Sequence, residues 1–247
     1  MEKRPALSPE IRLIISILLP VAGAILVKIL AGDTSQLGAA RDQSTIVLLL
    51  GPVGLISWFL GMRWYGLPGM GLRGKRPLFA GIGFAVLGWT AFLILRMFVA
   101  SRGLGTGTRE FVYLLLFEAF AVQLWVFGLI FRGLADWRGP MTAAISSGII
   151  FGAIAFLFFQ ESFIPTFAAL LYFVIWGVLY GIIRLRTGSI LGVVVVQALQ
   201  SFTGWVVLLP SPQPDPGQLQ ILYLGAGLCY LVFIWRLWPK QEDDYRV

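Results

Sequence analysis

Long apolar runs recur along the whole chain, and short segments containing glycine, proline or charged residues separate them. A helix that crosses a lipid bilayer needs about 20 mostly apolar residues. Eight segments meet this requirement: 11–31, 45–65, 77–100, 111–131, 140–160, 166–184, 188–209 and 219–238. The pattern predicts an all-α integral membrane protein with eight transmembrane helices, which form a single polytopic domain over residues 1–247.

The distribution of basic residues predicts the orientation of this bundle. Eight spans place both termini on the same side of the membrane, and 14 of the 19 Lys and Arg residues fall at helix ends on that side. Loops rich in Lys and Arg face the cytoplasm. We therefore expect both termini in the cytoplasm and the bundle in a bacterial inner membrane. The same bias explains the net charge of +7 without any binding of nucleic acid.

Composition excludes several classes of enzyme and metal site. Hydrophobic residues make up 58% of the chain, and it contains one cysteine and no histidine. Histidine is the common general base near neutral pH and a frequent metal ligand. Its absence excludes Ser-His-Asp and Cys-His catalysis, as well as haem or chlorophyll held through histidine. We predict no metal and no required cofactor, although a lipid or a pigment remains a candidate ligand.

Glycines spaced four residues apart indicate where helices approach each other closely. The pairs Gly148/Gly152, Gly177/Gly181 and Gly188/Gly192 fall on the fifth, sixth and seventh predicted helices. Small residues at this spacing let helix backbones pack together in lipid. We expect this part of the bundle to form its tightly packed centre.

The same region resembles the CAAX-processing and bacteriocin-processing (CPBP, or Abi) family of intramembrane proteases. The resemblance rests on Phe131-Arg132-Gly133-Leu134, on the helix sequence of residues 144–152, and on residues 177–190 across the next helix turn. It covers about residues 123–205, within a CPBP-like core of about 111–209. Eight helices are typical of the family, in agreement with the number of apolar segments.

The resemblance also implies where the catalytic groups of such a protease would lie. The family has two adjacent glutamates before the Phe-Arg pair, a histidine four residues after a phenylalanine of the next helix, and a later His-x-x-x-Asn. These groups activate a water molecule and stabilise an oxyanion. Here the corresponding positions hold Phe127, Gly128, Ala155, Gln197 and Ser201. Only Arg132 is retained, so the pattern indicates a catalytically inactive relative.

A few polar residues lie inside the predicted spans. Glu118 and Arg96 belong to neighbouring helices of a hairpin, and a structural ion pair is the interpretation that we favour over a proton relay. Glutamines and Ser201 are expected to form hydrogen bonds between helices. Gln197 and Gln200 would line a vestigial cavity, and the candidate residues for binding a ligand or partner are Glu118, Gln123, Arg132, Gln197 and Gln200.

Three functional hypotheses follow. The first is a non-catalytic scaffold or accessory subunit of a larger hetero-oligomeric membrane complex, with photosynthetic or pigment-protein assemblies among the candidates. The second is a carrier that binds a lipid or prenyl chain in the vestigial cavity near Gln197. The third is an intramembrane peptidase that uses Glu118 or Glu161 in place of the missing groups.

Overall fold

A computed structural model describes residues 7–32, 43–72, 114–158, 165–202 and 215–247. Its elements are all helical within these ranges. Six of the described helices are long and apolar enough to cross a membrane, and a shorter apolar helix covers Leu191–Ser201. The prediction of a multi-pass helical membrane protein is therefore confirmed. The predicted span 77–100 lies outside the described residues, so the count of eight stays a prediction.

The helices follow the apolar segments closely, with ends that differ by a few residues. We number the α-helices in chain order: α1 Pro9–Leu30, α2 Gln43–Trp64, α3 Gly66–Gly69, α4 Phe131–Arg138, α5 Pro140–Phe158, α6 Phe167–Thr187, α7 Leu191–Phe202 and α8 Pro216–Leu237. The C-terminal segment contains a short 3₁₀ turn at Glu242–Asp244.

One helix, here called the central helix, runs over Leu115–Arg138, and 72% of its apolar window is buried inside the bundle. Much of it is π-helical, in the segments Leu114–Ala121 and Leu124–Ile130, before it continues as α4. In a π-helix each hydrogen bond spans five residues instead of four, and such turns are rare and frequent at functional sites. The wider turn brings side chains five residues apart onto one face.

Glycine contacts between α5 and α6 confirm two of the three predicted close approaches. A Cβ atom at Gly148 would lie 2.6 Å from the Val178 Cα, and a Cβ atom at Gly152 would lie 2.7 Å from the Val174 Cα. Side chains at Gly177 and Gly181 would overlap backbone carbonyl oxygens of α5. The two backbones therefore touch along this seam, and any larger residue would separate them.

The prediction that Gly188/Gly192 is a packing pair on the seventh helix is wrong. Gly188 does not lie on α7 but ends α6, with a φ of 67° and its N–H donating to the Arg184 carbonyl. Glycine is favoured at this position because other residues are strained in the left-handed region. The spacing that suggests helix packing was instead produced by a helix cap.

Several helix ends are in contact at one end of the bundle. The beginning of α1 contacts the end of the central helix, and the end of α8 contacts the end of α6. Arg12 forms an ion pair with Asp136 at 3.2 Å, and Arg186 donates to the Leu237 carbonyl at 3.2 Å. A further backbone bond runs from the Ile190 N–H to the Gly71 carbonyl at 2.9 Å. Both ends of the described chain thus lie at this end of the bundle, and its cytoplasmic location stays a prediction.

The C-terminal segment packs against the end of α6. Arg246 donates its N–H to the Leu185 carbonyl at 2.8 Å, and Asp244 pairs with Arg186 at 3.3 Å. The pKa of the Asp244 carboxyl is below its usual value, mainly because the Lys240 backbone N–H donates a hydrogen bond to it. The positive charge of Arg186 lowers this pKa further. This lowered pKa means that the ionised carboxylate favours the docked tail.

We expect Asp244→Asn to release this segment from α6. In the wild-type chain the stabilisation of the docked tail by Asp244 is complete above the ordinary pKa of aspartate, about 3.9. This stabilisation is lost as the pH falls through the lower pKa that Asp244 has when the tail is docked. Limited proteolysis of the purified chain, compared between about pH 7 and pH 3, tests this effect. Asp243→Asn is the matched control, and equal cleavage of both variants at pH 7 would contradict the prediction.

Candidate functional site

Four buried polar residues meet where the central helix faces α7. Glu118 and Gln123 lie five residues apart on the central helix, and Gln197 and Ser201 lie four apart on α7. We call these four residues the polar quartet. The π-helical turn explains why two residues at this spacing on one helix face two residues at α-helical spacing on the other.

Hydrogen bonds link the members of the polar quartet. The Ser201 hydroxyl donates to the Glu118 carboxylate, and the Gln123 amide donates to the Gln197 side-chain oxygen. The Gln197 amide also donates to the Glu118 backbone carbonyl at 3.3 Å. Each of the four residues is at least 94% buried. The quartet thus joins the two helices through a connected polar network in an apolar setting, which makes every bond in it costly to break.

Gln200 belongs to a separate network on α7. It accepts a hydrogen bond from the Tyr180 hydroxyl at 2.9 Å and donates to the Tyr230 hydroxyl. A cavity of about 20 Å³ lies beside it, also lined by Trp176 and Phe233. This volume is enough for about one water molecule. A prenyl or lipid chain does not fit in it, so this cavity gives no support to the carrier hypothesis.

The positions at which the resemblance would place the family's glutamates and first histidine are filled by apolar packing. Phe127 is fully buried, and its ring centroid lies 5.8 Å from that of Phe151 and 6.1 Å from that of Tyr180. Ala155, one turn after Phe151, is 2% exposed and belongs to the same hydrophobic core. Edge-to-face and tilted contacts at these distances are favourable aromatic packing. The residues at these positions are therefore part of the hydrophobic core.

Gly128 leaves little space for a side chain. An added Cβ atom would lie 3.0 Å from the Met70 Cε and 3.3 Å from the Met70 carbonyl oxygen. Met70 is 1% exposed and comes from the turn after α2. A glutamate at position 128 would therefore require Met70 to shift by a few tenths of an ångström.

Arg132, the residue that the resemblance implies is retained from the family pattern, lies at the end of the bundle and outside the polar quartet. It pairs with Asp136 at 3.1 Å, and Asp136 also pairs with Arg12. The guanidinium of Arg12 lies 5.3 Å from the centroid of the Tyr65 ring. Arg132 thus has a structural partner at the membrane boundary.

A fully buried arginine lies next to the aromatic core. Arg184 Nε donates to the Phe127 carbonyl at 3.1 Å, and its Nη2 donates to the Gly69 carbonyl at 3.0 Å. Its guanidinium carbon lies 5.0 Å from the centroid of the Phe131 ring. A side chain at Gly71 would collide with this guanidinium, and the φ of 77° at Gly71 independently favours glycine. Arg184, on α6, is therefore hydrogen-bonded both to the central helix and to the turn after α2.

Comparison with known proteins identifies the family. A family model described as type II CAAX prenyl endopeptidase Rce1-like matches residues 60–203, more than half of the chain. The chain belongs to the Rce1-like family. No curated protein and no solved structure matches it. The resemblance inferred from residues 123–205 is thereby confirmed and extended toward the N-terminus, into α2.

Within the Rce1-like fold, the structure brings together only some of the residues that the sequence singled out. Glu118, Gln123, Gln197 and Ser201 form one group, whereas Gln200 and Arg132 lie apart from it. The interhelical hydrogen bonds predicted for these glutamines and for Ser201 are confirmed. Arg96 and Glu161 lie outside the described residues, so the Glu118–Arg96 ion pair stays a prediction.

Sequence reasoning missed Arg184 and the two tyrosines that contact Gln200. The positive-inside pattern counts Arg184 only among the basic residues at helix ends. It lies three residues after Gly181 and seven after Gly177, on the face of α6 that the glycines mark as buried. The spacing of Arg184 from these two glycines was the feature of the sequence that could have indicated its burial. The pairing of Tyr180 and Tyr230 with Gln200 joins three helices and has no signature in the spacing.

Proposed function

We propose that this chain is a non-catalytic member of the Rce1-like family that acts as a scaffold or accessory subunit of a larger integral membrane complex. One observation carries the proposal: Phe127, Phe151 and Tyr180 pack their rings together where the resemblance would require an activating glutamate and histidine. Hydrolysis needs a group that accepts a proton from water. Phenylalanine, glycine and alanine at positions 127, 128 and 155 have none.

Apolar surfaces on the outside of the bundle support a partner-binding role. Only 22% of the apolar window of α1 and 28% of that of α8 is buried within the chain. On α8 the exposed side chains include Ile221, Leu228, Val232 and Trp235. Such faces suit contact with lipid and with other transmembrane helices. We propose a bacterial cytoplasmic membrane, termini on the cytoplasmic side, and a hetero-oligomeric partner, with pigment-protein assemblies among the candidates.

Purification under mild conditions tests the scaffold proposal. The chain, carrying an affinity tag at its C-terminus, is extracted from its native membrane in a mild detergent, and everything that co-migrates with it is identified by mass spectrometry. We expect other integral membrane proteins in a fixed stoichiometry. Isolation of the chain with lipid alone, in extracts where a known membrane complex stays intact, would contradict the proposal.

A second function is favoured by a separate observation, the contact between Glu118 and Ser201. A carboxylate next to a hydroxyl and an amide can in principle activate a nucleophile and stabilise an oxyanion. In that case the chain would be a peptidase whose catalytic group has moved along the central helix, away from the aromatic core. This candidate predicts that Glu118→Gln abolishes cleavage, whereas the scaffold predicts no cleavage to abolish.

A further inference from the structure

Two oxygen atoms within the polar quartet are buried without a hydrogen-bond partner. Glu118 Oε1 accepts from Ser201, but Glu118 Oε2 accepts from no described residue, and the same is true of Gln123 Oε1. Glu118 is 2% exposed and Gln123 is fully buried. Buried polar atoms are nearly always satisfied, and each exception calls for an explanation. Here both exceptions belong to one network of two facing helices.

A cation lying between the two oxygens would satisfy both atoms at once. Carboxylate, amide and hydroxyl oxygens are the ligands of hard cations in proteins. Glu118, Gln123 and Ser201 supply one of each type. The hydroxyl of Ser201 donates its hydrogen to Glu118 Oε1, so its lone pairs stay free to accept a cation.

Where Arg96 does not neutralise Glu118, the charge balance selects a monovalent cation. Glu118 is the acidic residue of the polar quartet, and no Lys or Arg forms an ion pair with it within the described ranges. One negative charge neutralises one positive charge, whereas a divalent ion would leave a net positive charge in the bilayer interior. An unbalanced charge there is expensive.

Gln197 keeps the ligands in place. Its side-chain oxygen accepts from Gln123 and its amide donates to the Glu118 backbone carbonyl at 3.3 Å. Both bonds therefore hold the ligand residues of the central helix against α7. The amide of Gln123 is thereby oriented by its own donation to Gln197, which leaves the Gln123 oxygen available as a ligand.

We propose that Glu118, Gln123 and Ser201, oriented by Gln197, form an intramembrane site for one monovalent cation such as Na⁺. The site joins the central helix to α7, so binding of the ion stabilises their packing. The inference goes beyond the scaffold proposal and does not depend on it, because an isolated chain carries all four residues.

Binding of radioactive ²²Na⁺ to the purified chain in detergent, at constant ionic strength in choline chloride, tests the site. We expect saturable binding of one ion per chain, at least tenfold weaker in Glu118→Gln and Ser201→Ala. Gln200→Ala is the matched control, since it removes a buried glutamine of α7 outside the polar quartet, and it should bind Na⁺ like the wild type. Na⁺ should also raise the thermal unfolding midpoint of the wild type but not of Glu118→Gln.

Several outcomes would overturn the proposal. The first is a wild-type chain that unfolds cooperatively, and is therefore folded, but binds no ²²Na⁺. The second is binding that does not saturate at one ion per chain, which indicates unspecific screening. The third is binding that appears only in Arg96→Gln, which would mean that Arg96 neutralises Glu118. A thermal midpoint that responds to pH but not to Na⁺ would assign the oxygens to a proton instead.

Discussion

Replacing Gly177 by alanine lowers the free energy of unfolding by about 3 kcal/mol, the upper end of the range for an overpacked interior. The added methyl group would overlap the Gly148 carbonyl oxygen and lie 2.9 Å from the Gly148 carbonyl carbon. Both are backbone atoms of α5, so the clash is relieved only when the two helices separate. Titration of the purified chain in mixed micelles with a denaturing detergent measures the change.

Gly51→Ala is the matched control for this substitution. Gly51 also lies in a membrane-spanning helix, but a Cβ atom there would be 3.7 Å from the Phe117 Cε1, an ordinary contact distance. Alanine is favoured over glycine in a helix by up to about 1 kcal/mol. We expect Gly51→Ala to leave stability unchanged or slightly higher. Equal losses in the two variants would show that the α5–α6 seam is not tightly packed.

Replacing Arg184 by alanine is the second change with a large expected effect, a loss on the order of 3 kcal/mol. The substitution deletes the donors to the Phe127 and Gly69 carbonyls and leaves a cavity beside the Phe131 ring. Arg184→Lys should fail to restore stability, because an ammonium group lacks the planar fork that reaches both carbonyls. The same detergent titration measures both variants.

Arg132→Ala serves as the comparison for Arg184→Ala. The Arg132 side chain is 28% exposed, and its partner Asp136 lies four residues further along the same helix. Pairs of this kind contribute about 1 kcal/mol or less. Limited proteolysis of the turn over residues 66–72 gives a second readout, since only loss of Arg184 should open it. Similar stability and cleavage in the two variants would contradict the role assigned to Arg184.

Much of the fold could be predicted from the sequence because each transmembrane helix needs a long apolar run, and such runs are visible directly. The close approach of α5 and α6 was also predictable, since Gly148 and Gly177 repeat at helical spacing. Gly188 shows the limit of that argument. A glycine that ends a helix and a glycine that lets two helices touch produce the same spacing, and only the backbone conformation separates them.

The candidate site was harder to predict than the fold. Glu118 and Ser201 were each noted as buried polar residues, but their contact depends on how the central helix packs against α7. It also depends on the π-helical turns, which α-helical periodicity does not reveal. The role of Arg184 was missed for a related reason, because a basic residue at a helix end satisfies the positive-inside pattern whether it faces the water or the core.

Incubation of the purified chain with a prenylated peptide that ends in a CAAX sequence is the most direct test of whether the chain is non-catalytic. An active endopeptidase of the same family, run in parallel, establishes that the assay works, and mass spectrometry detects the released tripeptide. We predict no cleavage by the wild type, because apolar side chains fill positions 127, 128 and 155. Cleavage by the wild type that Glu118→Gln abolishes would contradict a non-catalytic role and establish a peptidase centred on Glu118.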